Sequence, residues 1–162
     1  RNAVSLITDK SSPSELFASG KLLGRPSAGR MSMFFYDPKF KQRLPYYDTF
    51  PLVLPLEPMK GGFIGLNFHY LPYGARFAFL QQLQKYSSNA KFDQSTKIQA
   101  TYDQVKSNKY VKASIKRYLY SHVRSQFLRV NVNEMALAAY LPVAQFQGAS
   151  LGTVFAKSRR TY

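Results

Sequence analysis

The alternation of apolar and polar positions indicates strands in the first half of the chain. Residues 31–36 (M-S-M-F-F-Y) form an apolar and aromatic run, and Phe63–Tyr70 alternates in the same manner. Gly61 and Gly62 lie before the second run and predict a turn. The pattern therefore predicts a small antiparallel sheet of about three strands over residues 31–70. Residues 126–132 also alternate and predict a further strand.

Between these strands lies a segment rich in proline and large apolar residues. Its prolines are Pro45, Pro51, Pro55 and Pro58. Proline has no amide hydrogen and cannot donate to a sheet ladder, which disfavours a central strand here. The sequence predicts an edge strand or irregular packed chain in this segment.

Helical spacing and capping residues predict several short helices elsewhere. Ser12, Pro13 and Gly20 have the order of an N-cap, a first helical residue and a stop. Further helices are predicted over Ala75–Tyr86, Gln99–Ser107, Val111–His122, Glu134–Tyr140 and Ser150–Lys157. With no repeat and no dividing linker, the pattern favours one α+β domain over residues 1–162, with short exposed N- and C-terminal tails, in which the small sheet packs with the helices.

Composition adds a strong positive charge to this picture. Lys and Arg number 23 against 8 acidic residues, which gives a formal net charge of +15. Such a charge predicts an anionic neighbour, either nucleic acid, an acidic protein or a membrane face, although it also serves solubility. No apolar run approaches the roughly 20 residues that cross a bilayer, and a membrane is not among the partners we expect. Cysteine is absent, which excludes disulfides and thiolate chemistry.

Groups suited to catalysis are few in this sequence. His69 lies in an apolar stretch that favours a structural histidine with one satisfied ring nitrogen, and His122 closes a basic segment. A metal-dependent nuclease is the least favoured alternative and would use the carboxylates of the predicted sheet, which are Asp37, Asp48 and Glu57, with Lys60 three residues after Glu57. Their spacing matches no strict motif. The sequence therefore predicts no enzyme, cofactor, metal site or small-molecule substrate.

A basic, aromatic stretch between residues 106 and 129 is the most informative segment for binding. It contains no acidic residue, and its cations are Lys106, Lys109, Lys112, Lys116, Arg117, Arg124 and Arg129. If the segment is helical, Lys109, Lys112 and Lys116 share one face. The interleaved tyrosines could stack on bases while the cations contact phosphates. A solvated helix face with tyrosines in the core, or an acidic protein partner, explains the same residues.

Large aromatic residues in the predicted sheet form a second set of binding positions. They are suited to anchoring neighbouring subunits or to filling the core, and the sequence leaves the two roles open. These residues are Tyr36, Tyr46, Tyr47, Phe50 and Tyr70.

Several short sequence segments resemble those of small, basic minor virion proteins of large contractile-tailed, T-even-like phages. They are Y-D-P-K, L-P-Y-Y-D and F-P-L-V within residues 29–56, G-G-F-I-G-L-N-F-H-Y-L-P (61–72), I-K-R-Y-L-Y-S-H-V-R-S-Q-F (115–127) and A-Q-F-Q-G-A (144–149). The resemblance implies a non-enzymatic virion component, assembled in the host cytoplasm, that binds other virion proteins. We expect it in the tail or baseplate. The alternative is a DNA-binding virion protein at the genome end or neck that contacts the phosphate backbone.

Overall fold

An antiparallel sheet organises the computed structural model, which describes residues 21–26, 30–87, 103, 109–130, 138–139 and 144–161. The strands, in chain order, are β1 (Leu22–Leu23), β2 (Ser32–Met33), β3 (Tyr47–Asp48), β4 (Leu52–Met59), β5 (Gly62–Asn67), β6 (Ile115–Leu119), β7 (Phe127–Arg129) and β8 (Phe146–Gln147). Six of them form one sheet in the order β1-β7-β2-β4-β5-β6, and β3 pairs with β8. The predicted α+β class is confirmed, and residues 127–129 join the sheet as predicted.

The helices whose bounds the structure describes lie after β5, on either side of β6 and after β8. They are a 3-10 helix at Phe68–Tyr70, α1 (Tyr73–Ser87), α2 (Lys109–Ser114), a 3-10 helix at Tyr120–His122 and α3 (Leu151–Thr161). The helices predicted over 75–86 and 150–157 are confirmed. Those predicted over 12–20, 99–107 and 134–140 lie almost wholly outside the described residues, as does most of each tail, so the single-domain extent stays a prediction. None of the described helices is long and apolar enough to span a membrane.

The prediction that the proline-rich segment avoids the centre of a sheet was wrong. β4 lies between β2 and β5. However, β2 pairs with β4 only at Leu52 and Val53. Pro55 and Pro58 lie beyond this point. No residue of β2 pairs with them, so their missing amide hydrogens remove no hydrogen bond between β2 and β4. The ladder between β4 and β5 shifts register after Pro55, which accommodates the proline as a bulge does.

The predicted helix over Val111–His122 was also wrong in its second half. The helix ends at Ser114, whose hydroxyl donates to the carbonyl oxygen of Val111 at 2.8 Å. Residues 115–119 then pair with residues 62–66 of β5. This pairing needs a close approach at Gly62, since a Cβ atom there would collide with the carbonyl oxygen of Tyr118. Cross-strand pairing outweighs the local helical spacing.

Alternation along the strands divides the core between two faces of the sheet. On one face, sheet residues form a core cluster with Phe79 of α1 and Val111 of α2; the sheet residues are Met33, Leu52, Leu54, Leu66 and Leu128. The other holds a mainly aromatic cluster of Phe34, Tyr36, Val53, Phe63, Tyr118 and Phe127. The rings of Phe34 and Tyr118 meet edge to face, with centroids 5.4 Å apart, which is a favourable aromatic geometry.

Candidate nucleic-acid interface

A buried carboxylate lies where β3, β5 and β8 meet. Oδ2 of Asp48 lies 2.7 Å from Nδ1 of His69 and accepts a hydrogen bond from the Asn67 amide at 3.1 Å. Oδ1 accepts from the backbone amides of Phe50 and Gln145. The other ring nitrogen of His69 is buried and has no hydrogen-bond partner in the described part of the chain. The predicted structural histidine with one satisfied nitrogen is therefore confirmed.

These contacts bear on the nuclease alternative. Both oxygens of Asp48 are engaged inside the protein, which argues against a role in metal binding. Asp37 is instead exposed and pairs with Lys41 at 2.9 Å. Glu57 is exposed on β4. Over the described ranges, no three His, Asp or Glu side chains are grouped so as to hold a metal ion. The three carboxylates offer no support for a nuclease.

A cavity of about 200 Å³ opens beside Asp48. We call it the tyrosine pocket because its wall includes Tyr36, Tyr46, Tyr47, Tyr70 and Tyr118. Lys116 and Arg117 of β6 contribute to the same wall, together with Pro38 and Leu44. The pocket is thus aromatic and basic, and residues from three distant parts of the sequence build it.

Four of the five aromatic residues predicted as interface or core anchors line this pocket. Tyr36 and Tyr70 are buried, as is Phe50, which packs against Phe35 in the core with ring centroids 4.9 Å apart. Tyr46 and Tyr47 are half-buried. Burial therefore gives Tyr36, Phe50 and Tyr70 a core-packing role. Contact of any of the five with another virion protein stays a prediction.

Lys116 occupies an unusual position for a cation. It is half-buried, and its Nζ atom lies 4.1 Å from the ring centroid of Tyr70, within the range of a cation–π contact. Burial lowers the pKa of Lys116 to about 8. Among the described residues, no carboxylate lies within ion-pair distance of it. The predicted basic residue is therefore a half-buried cation with no ion-pair partner among the described residues.

The remaining predicted cations are spread over several elements instead of one helix face. Lys112 on α2, Arg117 on β6 and Arg124 are exposed. Arg124 donates to the carbonyl oxygen of Ser121 at 2.7 Å. Arg129 on β7 is half-buried, with a buried Nε that lacks a partner in the described ranges. The Lys109 side chain and the whole of Lys106 lie outside what the structure describes.

A basic loop at residues 38–44 adds exposed groups that the sequence analysis did not single out. Phe40 is 53% exposed. The cationic groups of Lys39 and Arg43 lie 5.2 and 5.7 Å from its ring centroid. The amide of Asp37 donates to the carbonyl oxygen of His122 at 3.0 Å and fixes the start of the loop. The signal in the sequence is K-F-K-Q-R, a basic run that contains one aromatic residue.

Comparison with known families gives this basic and aromatic surface a context. Residues 17–160 match the model of one family, described as the phage T4 terminal DNA protecting protein. The chain belongs to this family. No curated protein and no solved structure matches the chain. This match confirms the resemblance to proteins of T4-like phages. The description of the terminal DNA protecting protein family supports the genome-end alternative better than the tail or baseplate placement.

Proposed function

We propose that this chain binds the ends of linear phage DNA and shields them from exonucleases, without catalysing a reaction itself. The observation that carries the proposal is the match of residues 17–160 to the terminal DNA protecting protein family. In this proposal the chain is associated with the DNA of the virion, and its basic side chains bind phosphates of the DNA backbone. This replaces the tail or baseplate placement as the favoured assignment.

The exposed cations support a contact with the DNA backbone. Lys112, Arg117 and Arg124 come from α2, β6 and the segment before β7, and all three are exposed. Phosphate contacts of this kind supply affinity without sequence preference, because the backbone carries the same charge at every base pair. A protein that protects ends of any sequence needs such a contact.

Preference for an end requires a second contact, because the backbone is continuous through the duplex. Only an end presents the flat face of a terminal base pair and a terminal phosphate. The exposed ring of Phe40, with cations at Lys39 and Arg43 beside it, is suited to stack on that face, as aromatic side chains stack on bases. The basic loop therefore supplies the end-specific contact in this proposal.

The test is nuclease protection of a blunt linear duplex. We expect the protein to slow a duplex exonuclease at about one or two molecules per end, a concentration too low to coat the interior. An endonuclease that cuts the interior should act at its normal rate on the same DNA. Degradation by the exonuclease at an unchanged rate, or protection only when the whole duplex is coated, would contradict the proposal.

A further inference from the structure

The tyrosine pocket contains a positive charge that the described protein does not neutralise. Lys116 is half-buried and lies over Tyr70 with no ion pair among the described side chains. Removing an ammonium group from water is costly unless an anion or hydrogen bonds compensate it. A desolvated cation at the wall of a cavity is therefore a position where a bound anion adds stability.

The other groups around the pocket leave Lys116 available to a ligand. The carboxylate of Asp48 is the nearest negative charge in the wall, but its two oxygens already accept from Asn67, His69 and two backbone amides. Burial raises the pKa of Tyr70 and of Tyr118, so both stay neutral at physiological pH. Arg117 adds a second cation at the same wall.

The shape and position of the pocket indicate which anion it takes. Its volume of about 200 Å³ is below the roughly 300–1,000 Å³ of pockets for drug-sized ligands, so it admits a small group and not a duplex. Tyr46 and Tyr47 are half-buried and offer ring surface beside the cations. Pro38 and Leu44, which bound the basic loop, also line the pocket. A strand that ends at the loop can therefore reach it.

We infer that the tyrosine pocket binds the terminal phosphate monoester of a DNA strand, with Lys116 as its partner and Tyr46 and Tyr47 beside the terminal nucleotide. This inference rests on the proposed function and names the group that would distinguish an end. A terminal monoester carries about −1.5 to −2 charges at pH 7, whereas an internal diester carries one. A buried cation therefore favours the terminal group.

The experiment compares blunt duplexes of one sequence that carry a 5′-phosphate, a 3′-phosphate or neither. Fluorescence polarisation with an internal label measures their Kd for the full chain. We expect one phosphorylated duplex to bind at least about tenfold more tightly than the unphosphorylated one, since a charge-assisted contact is involved. The preferred duplex identifies which strand end enters the pocket.

Variants assign the preference to the pocket. Lys116→Met should abolish the phosphate preference, and Lys116→Arg should retain it. The matched control Lys112→Met removes an exposed lysine and should weaken binding to all three duplexes by the same factor. An absent preference in the wild-type protein, or a preference that persists in Lys116→Met, overturns the inference. The wild-type comparison keeps the inference falsifiable even if Lys116→Met fails to fold.

Exonuclease protection of the unphosphorylated duplex separates this inference from the proposed function. If wild-type protein protects that duplex but shows no phosphate preference, the pocket assignment is overturned and end binding stands. If wild-type protein protects none of the three duplexes, the proposed function itself is overturned.

Discussion

His69 and Asp48 form a buried pair, with Nδ1 of the histidine 2.7 Å from Oδ2 of the aspartate and side-chain exposures of 0% and 1%. Asp48 also accepts from the amide of Gln145, which precedes β8. A single carboxylate therefore connects β3, the segment after β5 and the segment before β8. These segments hold one side of the tyrosine pocket in place, which gives the pair a structural role.

Replacing Asp48 with Asn should destabilise the protein by about 2–3 kcal/mol, because a hydrogen-bonded charged acceptor is lost from the interior. Chemical denaturation at pH 7 measures this change. Asp37→Asn is the matched control: Asp37 is exposed and its ion pair with Lys41 lies in solvent, so stability should hardly change. Equal stability of Asp48→Asn and wild type would contradict the structural role.

The same variant tests the pH dependence of stability. Burial acts to raise the pKa of Asp48, but His69, Asn67 and the amide of Phe50 outweigh it and hold the pKa below its ordinary value of 3.8. For a depressed carboxyl pKa, the stabilisation is present above pH 3.8 and is lost as the pH falls through the folded-state pKa. Below about pH 4, wild type should therefore lose stability more steeply than Asp48→Asn. Parallel acid profiles would contradict this.

Lys116 should add a second rise of stability with pH, at alkaline instead of acidic pH. Its pKa is lowered by burial from 10.5 to about 8, so between these values the unfolded chain binds more protons than the folded protein. Stability from this group therefore rises with pH across that interval. The unfolding free energy of wild type should increase relative to that of Lys116→Met between pH 8 and 10.5. Tyrosine ionisation cancels in this difference, and a constant difference would contradict the prediction.

The exposed cations should determine how DNA affinity depends on salt. Each phosphate neutralised contributes about 0.9 to the slope of log Kd against log salt concentration. The variant Lys112→Gln/Arg117→Gln/Arg124→Gln should therefore lower the slope by up to about 2.7. Lys60→Gln, an exposed lysine in the turn between β4 and β5, is the control and should leave the slope unchanged. Equal slopes in the triple variant and wild type would remove these residues from the interface.

Phe40→Ala should weaken binding to open duplex ends without affecting the fold. Phe40 is 53% exposed, so its removal should change stability by less than about 0.5 kcal/mol. Loss of stacking on the terminal base pair should cost about 1–3 kcal/mol of binding free energy. Phe77→Ala on α1, where Phe77 is 55% exposed, is the matched control. Equal affinities of the two variants would contradict stacking by Phe40.

Local patterns were sufficient to predict the turn at Gly61 and Gly62, the strand that follows it and the two longer helices. Gly61 has a φ of 76°, a conformation that favours glycine. The turn could therefore be predicted from the glycine pair itself, without knowledge of distant residues. The start of α3 could also be predicted locally, because Ser150 caps it: the Ser150 hydroxyl accepts a hydrogen bond from the amide of Thr153 at 3.3 Å. In each case the deciding interaction lies within a few residues along the chain.

Long-range pairing decided what the sequence could not show. Residues 115–119 have helical spacing, yet they form β6 because β5 lies beside them and Tyr118 joins the aromatic cluster. That change separates Lys112 from Lys116, which were predicted to share a helix face. The tyrosine pocket likewise joins residues 36–48, 67–70 and 116–118. No spacing along the chain indicates such a site.

Recognition of DNA ends by this chain can be tested by competition between duplexes with open and with closed ends. A labelled blunt duplex is bound first, and unlabelled competitors of the same sequence are added, one with open ends and one with both ends closed by hairpin loops. We predict that the open duplex displaces the label at a concentration at least about tenfold lower than the closed one, a difference of about 1.4 kcal/mol. Equal displacement by both competitors would show that the protein binds DNA along its length, and would contradict end recognition.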